Sequence, residues 1–311
     1  MDPTARHRLR LLRQYLSTDR LLGVDVVPRG EGGMVGAEPV RGAGAAGSAA
    51  ALSTQQARQG DSPGGAATAP PKQGVKGQPA PAASAGGASV GLTGTVAEPT
   101  SDPVLPPRSP LSREQKVERL ERIDREEVRG CTRCPLHQGR TQTVFADGDP
   151  DARLMFIGEG PGQQEDEQGL PFVGRAGELL NRMIDAMGLA RERVYIANIV
   201  KCRPPNNRAP TPQEAATCWD YLRRQILIIQ PGAIVTLGGP ATQRLLEAKR
   251  GITALRGTWH MFRGLEPEGP AIPIMPTFHP AYVLRNYTKE TRGKVWSDLQ
   301  AVMQVLQREP S

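Results

Sequence analysis

Apolar runs alternate with helical periodicities along the second half of the chain. Four short runs rich in Val, Ile and Leu predict buried strands, at residues 154–157, 194–200, 233–237 and 272–275. Amphipathic segments that predict helices lie between or after them, at residues 176–187, 212–229 and 289–306, and Gly239 opens a shorter helix. Strands that alternate with helices are typical of a parallel sheet covered on both faces, so the pattern predicts an α/β fold.

Two helix starts carry capping signals. Ser112 is followed three residues later by Gln115, and Thr211 by Glu214, which are the spacings of a capping box. Pro212 occupies the first helical position after Thr211, where its missing N–H is harmless. We therefore predict helices that begin at residues 113 and 212.

The first third of the chain has a different composition. Between Arg29 and Pro110 there is no Phe, Trp or Tyr, and Ala, Gly, Pro, Ser and Thr predominate. Such a segment buries too little apolar surface to offset the entropy of ordering it. We predict an amphipathic N-terminal segment at residues 1–28, a disordered linker at 29–110 and one folded domain at 111–311. The N-terminal segment is a candidate for binding a replication or repair protein.

Charge and cysteine content limit the partners and the compartment that we expect for the protein. The net charge of +7 is compatible with a polyanionic partner but is too small to require one. We find no run of 18 apolar residues and no signal-peptide pattern, and four cysteines in 311 residues are too few for a disulfide scaffold. We expect a monomeric cytoplasmic protein that is not bound to membranes.

All the cysteines fit one metal-ligand pattern. Cys131 and Cys134 form a C-x-x-C pair, Cys202 follows the second predicted strand, and Cys218 lies in the next predicted helix. Four thiolates can hold a zinc ion or an iron–sulfur cluster, and their spacing does not distinguish the two. We expect a structural role for the site, since no flavin or nicotinamide fingerprint accompanies it.

The stretch GEGPGQQED follows the first predicted strand and resembles a phosphate-binding turn only superficially. Gln163 stands where G-x-G-x-x-G requires a third glycine, and Gly-Lys-Ser/Thr is absent. The acidic residues Glu165, Asp166 and Glu167 would repel a phosphate that they faced. A phosphate cradle is therefore disfavoured.

Several polar or aromatic residues follow the ends of the predicted strands, where parallel sheets bind their ligands. They are Glu159, Glu165, Phe172, Asn198 and His279. An amide can donate and accept hydrogen bonds with a flat ring, and an aromatic side chain can stack on it. This set favours a flat, polar, neutral ligand such as a nucleic-acid base.

At this point a family resemblance becomes apparent. The series CxxC, GEGPGQQEDEQGLPFVGRAGELL, NIVKCRPPNNRAPTPQE and HPAYVLR resembles the family 4 uracil-DNA glycosylases, and it covers about residues 131–307. The resemblance implies a three-layer α/β/α sandwich around a four-stranded parallel sheet. It also implies a [4Fe-4S] cluster on the four cysteines, with zinc as the minor alternative. The implied reaction is hydrolysis of the N-glycosidic bond of deoxyuridine in DNA, which leaves an abasic site and initiates base excision repair.

The resemblance also implies roles for three residues around the extruded base. Phe172 would stack on the uracil ring. Asn198 would pair with O4 and N3–H, and so reject cytosine. His279 would donate to O2 as negative charge develops on the departing base.

The remaining assignments concern the turn and the DNA. The glycines Gly158 and Gly160 would line the pocket, and Glu165 would form its wall near uracil C5. Gly160 stands where some related glycosylases carry an Asp, which leaves Glu159 as the nearest candidate for activating water. Glu159 could instead position the backbone, or a carboxylate could stabilise the positive charge on the sugar.

In the stretch PAYVLRN, Leu284 or Arg285 would support the DNA stack near the vacated position. Arg203 and Arg208 are candidates for contacts with phosphates. Two alternatives remain open on the sequence: a non-catalytic nucleic-acid-binding module of the same fold, serving a polymerase or repair assembly, and a zinc-stabilised nucleotide hydrolase.

Overall fold

A computed structural model describes residue 100 and residues 103–263 and 271–308 of the chain. The predicted N-terminal segment at 1–28 and most of the predicted linker at 29–110 lie outside the described residues. In the part that is described, no helix is both long enough and apolar enough to cross a membrane.

A mixed sheet forms the centre of the described structure. Its strands are β1 (Asp147–Gly148), β2 (Leu154–Gly158), β3 (Tyr195–Asn198), β4 (Ala233–Leu237), β5 (His260–Phe262) and β6 (Ile272–Thr277). They lie in the order β1-β3-β2-β4-β6-β5. The inner four strands are parallel, and β1 and β5 pair antiparallel at the two edges.

The inner four strands are those that the apolar runs predict, but the prediction of four strands is wrong, since the described sheet has six. Both additional strands are short. β1 has two residues, one of them a glycine with φ of 116°, and β5 has three. Neither is long enough to show a period-two pattern, so pairing with a neighbouring strand, rather than local sequence, determines them.

The helices cover both faces of the sheet. They are α1 (Arg113–Ile123), α2 (Gln163–Gln168), α3 (Arg175–Ala186), α4 (Pro212–Ile229), α5 (Gly239–Leu246), α6 (Ile252–Leu255), α7 (Pro280–Arg285) and α8 (Lys289–Leu306). A π-helical turn follows α1 at Asp124–Val128. Both predicted capping boxes are present, on Ser112 and on Thr211.

Successive residues of β2 face opposite layers, which divides the core in two. Leu154 and Phe156 pack in one apolar cluster with α3 and α8, whereas Met155 and Ile157 pack in another with α1, α4 and α5. The architecture is therefore the expected three-layer α/β/α sandwich. Leu105 is only 4% exposed within the first cluster, so the packed chain begins before residue 111.

Candidate active site

A cleft of about 550 Å³ opens at the carboxyl ends of the parallel strands. Its lining includes all five polar or aromatic residues that the sequence places at strand ends: Glu159, Glu165, Phe172, Asn198 and His279. Gly160 and Arg285 also line it. The topology therefore brings together residues that are up to 120 positions apart in the chain, as expected for ligands of a parallel sheet.

Gly158, the last residue of β2, does not itself line the cleft as predicted, but it lies next to the slot, the narrow space between Asn198 and the Phe172 ring. A Cβ atom there would lie 2.5 Å from Asn198 Oδ1 and 2.5 Å from Phe172 Cζ. No real side chain tolerates such distances. Gly158 therefore lets the amide and the aromatic ring approach the same small volume.

Asn198 is almost completely enclosed, with 1% of its surface exposed, yet its Oδ1 atom has no hydrogen-bond partner among the described residues. An unpaired buried acceptor is expensive, so such groups commonly mark binding sites. Its backbone is firmly held: the buried Lys201 donates from Nζ to the Asn198 carbonyl at 3.0 Å and to Gln225 Oε1 at 2.6 Å. Burial lowers the pKa of Lys201 to about 8.

Phe172 forms the aromatic side of the slot in a strained conformation. It has φ of 53°, in the left-handed region that a bulky residue rarely occupies. Its ring lies 5.6 Å from the His279 ring, centroid to centroid, at 32°. Gly177 in α3 makes this possible, because a Cβ there would lie 1.9 Å from the Phe172 carbonyl oxygen.

His279 stands opposite as the N-cap of α7. Its Nδ1 accepts a hydrogen bond from the Ala281 backbone N–H at 3.1 Å, so Nδ1 carries no proton and Nε2–H is the donor. Burial, with a smaller contribution from the charge of Arg285, lowers the pKa of His279 to about 4, although Glu165 acts in the opposite direction. The imidazole is therefore a neutral donor at pH 7.

Glu165 lines the cleft, but both of its carboxylate oxygens are engaged by backbone groups. Oε2 accepts from the N–H of Gly162 at 3.1 Å, and Oε1 accepts from the N–H groups of Val173 and Gly174 at 3.0 Å each. The carboxylate thereby joins α2 to the segment that follows Phe172. The predicted contact with uracil C5 stays a prediction.

Burial raises the pKa of the Glu159 carboxylate, which lines the cleft. Its backbone carbonyl accepts from Val200 N–H at 3.3 Å, which aligns the turn with β3. At Gly160 a Cβ would lie 2.8 Å from Val200 Cγ2. A side chain at position 160 would therefore need the turn to shift.

The residues of α7 at the cleft differ in exposure. Leu284 is half-buried against the core, whereas Arg285 is exposed at the cleft. Tyr282, which the sequence did not single out, is 39% exposed, lines the cleft and stacks on Phe278 with ring centroids 4.9 Å apart. The supporting roles of Leu284 and Arg285 in DNA stay predictions.

The predicted phosphate contacts on the loop after β3 have local partners. Arg203 donates to Asn207 Oδ1 at 2.8 Å, and Arg208 forms a two-fold ion pair with Glu214. Arg208 nonetheless lines the cleft.

The four cysteines line one small pocket together with Arg140, Lys201 and Tyr221. Cys202 and Cys218 are buried and Cys131 and Cys134 partly exposed. Arg140 donates from Nη1 to Cys202 Sγ at 3.1 Å. Among the described residues, no three His, Cys, Asp or Glu side chains converge as they would around a single metal ion.

Sequence reasoning missed three residues that shape the site: Gly177, Lys201 and Arg191. A glycine inside a predicted helix is unfavourable unless packing requires it, and that signal could have identified Gly177. The lysine and the arginine carry no such signal, because solvent-exposed side chains of both kinds are common.

The fold and the site together define a class of protein: an α/β protein that binds a base in a narrow slot at the ends of its parallel inner strands. This chain belongs to the uracil DNA glycosylase superfamily, whose sequence model matches residues 145–300. Over 193 residues it is 46% identical to the type-4 uracil-DNA glycosylase of Thermotoga maritima, covering 62% of this chain and 97% of that protein. Over 175 residues it is 47% identical to the type-4 enzyme of Sulfurisphaera tokodaii, covering 55% of this chain and 78% of the relative.

Proposed function

We propose that this protein is a uracil-DNA glycosylase that hydrolyses the N-glycosidic bond of deoxyuridine in DNA. The observation that carries the proposal is the slot in which the unpaired Oδ1 of buried Asn198 lies beside the strained Phe172 ring, with neutral His279 opposite. The family membership and the printed activity of the relatives support the same conclusion.

Base reading rests on Asn198. Its amide has one donor and one acceptor, which matches the N3–H and O4 of uracil, whereas cytosine presents the opposite pattern there. Because Asn198 is buried and Lys201 holds its backbone, the amide is kept in place for the ring. A base within a duplex cannot reach this slot, so the nucleotide must be extruded, at a cost of a few kcal/mol.

Departure of the base rests on His279. We propose that its neutral Nε2–H donates to uracil O2, and such a fixed donor commonly lowers a barrier by about 3 to 4 kcal/mol. Glu159 is the group proposed to activate water or to stabilise the positive charge on the sugar. Its raised pKa brings it closer to the value that suits a general base at neutral pH.

Phe172 is proposed to stack on the extruded ring, and Tyr282 and Arg285 present the exposed surface of α7 to the DNA beside it. Leu284 is proposed to support this surface from within, because it packs against the core. Basic side chains around the cleft make binding depend on salt.

We propose a [4Fe-4S] cluster on Cys131, Cys134, Cys202 and Cys218. Each cysteine of such a cluster binds a different iron, so its ligands stand farther apart than the four sulfurs around one zinc ion. All four cysteines line one pocket, which supports a common ligand for them, and the iron and zinc contents distinguish the two. The cluster would fix the chain between β3 and α4, and Arg140 would donate to a coordinated sulfur.

One experiment tests the reaction. The purified protein is incubated with an oligonucleotide that contains a single uracil, and alkali then breaks the strand at abasic sites. Breakage at uracil and none at thymine or cytosine is the expected result. Intact strands would refute the proposal and restore the non-catalytic binding module as the better reading.

Two further measurements test the cofactor and the setting. We expect a broad visible absorbance band and about four irons per chain, whereas one zinc and no visible band would refute the cluster. We propose that the protein is a monomer. We also propose that it lies in the cytoplasm, because a reducing compartment keeps four thiols available as ligands. Sedimentation would check the monomer.

A further inference from the structure

Arg191 lies in the short turn that precedes β3 and contacts the backbone on the aromatic side of the slot. Its Nη2 donates to the Pro171 carbonyl at 2.6 Å, and its Nη1 donates to the Phe172 carbonyl at 3.2 Å. Nη1 also donates to Asn181 Oδ1 at 2.8 Å, and Nε pairs with Asp147 at 2.8 Å. Every nitrogen of the guanidinium therefore has a partner, and two of these partners are consecutive carbonyls of the Phe172 loop.

The conformation that these carbonyls adopt is strained. A non-glycine residue stays in the left-handed region only where its surroundings over-determine it, and Phe172 has φ of 53°. Glu165 holds the N–H groups of the two residues that follow Phe172. Arg191 holds the carbonyls on the other side, so the loop is fixed from both directions.

Arg191 also joins the two walls of the slot. It lies in the turn that leads into β3, and Asn198 is the last residue of that strand. The side chain of Arg191 is only 19% exposed, and it does not line the cleft. It cannot contact a base there, but it can set the position of Phe172 relative to the strand that carries Asn198.

We propose that Arg191 is a positioning residue that keeps Phe172 in its strained, base-stacking conformation. This inference rests on the proposed function, because it assumes that Phe172 stacks on uracil. When Arg191 is removed, the loop relaxes, and only a fraction of the molecules present the ring correctly. The apparent affinity for an extruded base then falls in proportion to the fraction of molecules that remain competent.

The test compares Arg191→Met with Arg193→Met in the full-length protein. Arg193 lies in the same turn, but its side chain is 76% exposed and its contact with Asp149 is 4.0 Å long. The first measurement is amide hydrogen exchange at Val173 and Gly174, whose N–H groups Glu165 holds. We expect exchange there to accelerate about tenfold in Arg191→Met and to be unchanged in Arg193→Met.

The second measurement is binding of an oligonucleotide that carries a 2′-fluorinated deoxyuridine, which resists hydrolysis. Arg191→Met should bind it about tenfold more weakly, yet bind an oligonucleotide with an abasic site, which has no base to stack, as the unaltered protein does. In a Phe172→Ala background the same substitution should change neither affinity. An equal loss on abasic DNA, or an undiminished loss in the Phe172→Ala background, would overturn the proposal.

Two provisions keep the test decisive. If Arg191→Met does not fold, Arg191→Lys retains the charge beside Asp147, but its compact ammonium lacks the planar fork with which three guanidinium nitrogens reach separate partners. The same pattern of losses is expected. If the unaltered protein fails to cleave uracil-containing DNA, the proposed function fails. Hydrogen exchange then still decides whether Arg191 holds the loop.

Discussion

Replacing Gly158 by alanine should close the base slot while leaving the fold intact. Ordinary van der Waals contact begins at 3.4 Å, and the new Cβ would lie 2.5 Å from both the Asn198 amide oxygen and the Phe172 ring. Each group would therefore have to retreat by about 0.9 Å. Neither the Asn198 amide nor the Phe172 ring can move easily. Lys201 holds the Asn198 backbone, and Gly177 packs against the Phe172 backbone.

A misplacement of about 1 Å in a reacting site can lower the rate by about 100-fold. We expect Gly158→Ala to lower kcat/KM for a uracil-containing oligonucleotide by that factor, which corresponds to about 2.7 kcal/mol. The extra methyl should reduce the free energy of unfolding by about 1 to 3 kcal/mol, as overpacking usually does.

Single-turnover cleavage and urea unfolding measure the two effects. Gly293→Ala is the matched control, because a Cβ at that position in α8 meets nothing within 4 Å. We expect the control to cleave normally. If Gly158→Ala retained the unaltered kcat/KM, the slot would not be where the uracil binds.

Three further predictions concern the walls of the slot and the cysteine site. Asn198→Asp should lower single-turnover uracil cleavage about 100-fold, because a carboxylate has no N–H for uracil O4. Asn206→Asp serves as its control, because Asn206 is exposed and does not line the cleft. Burial lowers the pKa of His279 from about 6.5 in the unfolded chain to about 4, so the stability that it contributes should be complete above about pH 6.5 and fall as the pH drops towards 4. His279→Gln should flatten this part of the pH profile, measured by urea unfolding. Cys218→Ser should lose iron and visible absorbance and should lower the Tm.

Each of these predictions can fail clearly. Unchanged cleavage by Asn198→Asp would remove the amide from base reading. A pH profile of stability that His279→Gln leaves as steep would mean that other groups determine it. Full iron content in Cys218→Ser would show that this cysteine is not a ligand.

The parallel core of the fold was predictable because each inner strand is a continuous apolar run. Burial on both faces imposes that pattern, so it is visible without knowledge of partners. The two edge strands were not predictable. His260–Phe262 is a strand only because it pairs with β6, and nothing in three residues records that pairing.

The chemistry of the site was predictable from the sequence, but the residues that hold its side chains in place were not. Asn198 and His279 are unusual residues at strand ends, so their positions point to a ligand. Arg191 resembles any surface arginine in the sequence, and only the structure shows that it bonds two carbonyls of the Phe172 loop. The strain at Phe172 is likewise invisible in the sequence, since it arises from contacts with Glu165 and Gly177.

The short edge strands affect how the protein behaves at high concentration. A long edge strand exposes a row of unpaired backbone groups, which invites a second chain to add a strand and begin aggregation. In the part of the chain that the structure describes, each of the four longer strands has a neighbouring strand on both sides, and the edge strands β1 and β5 have only two and three residues. The described sheet thus presents little edge backbone through which copies of the protein could associate.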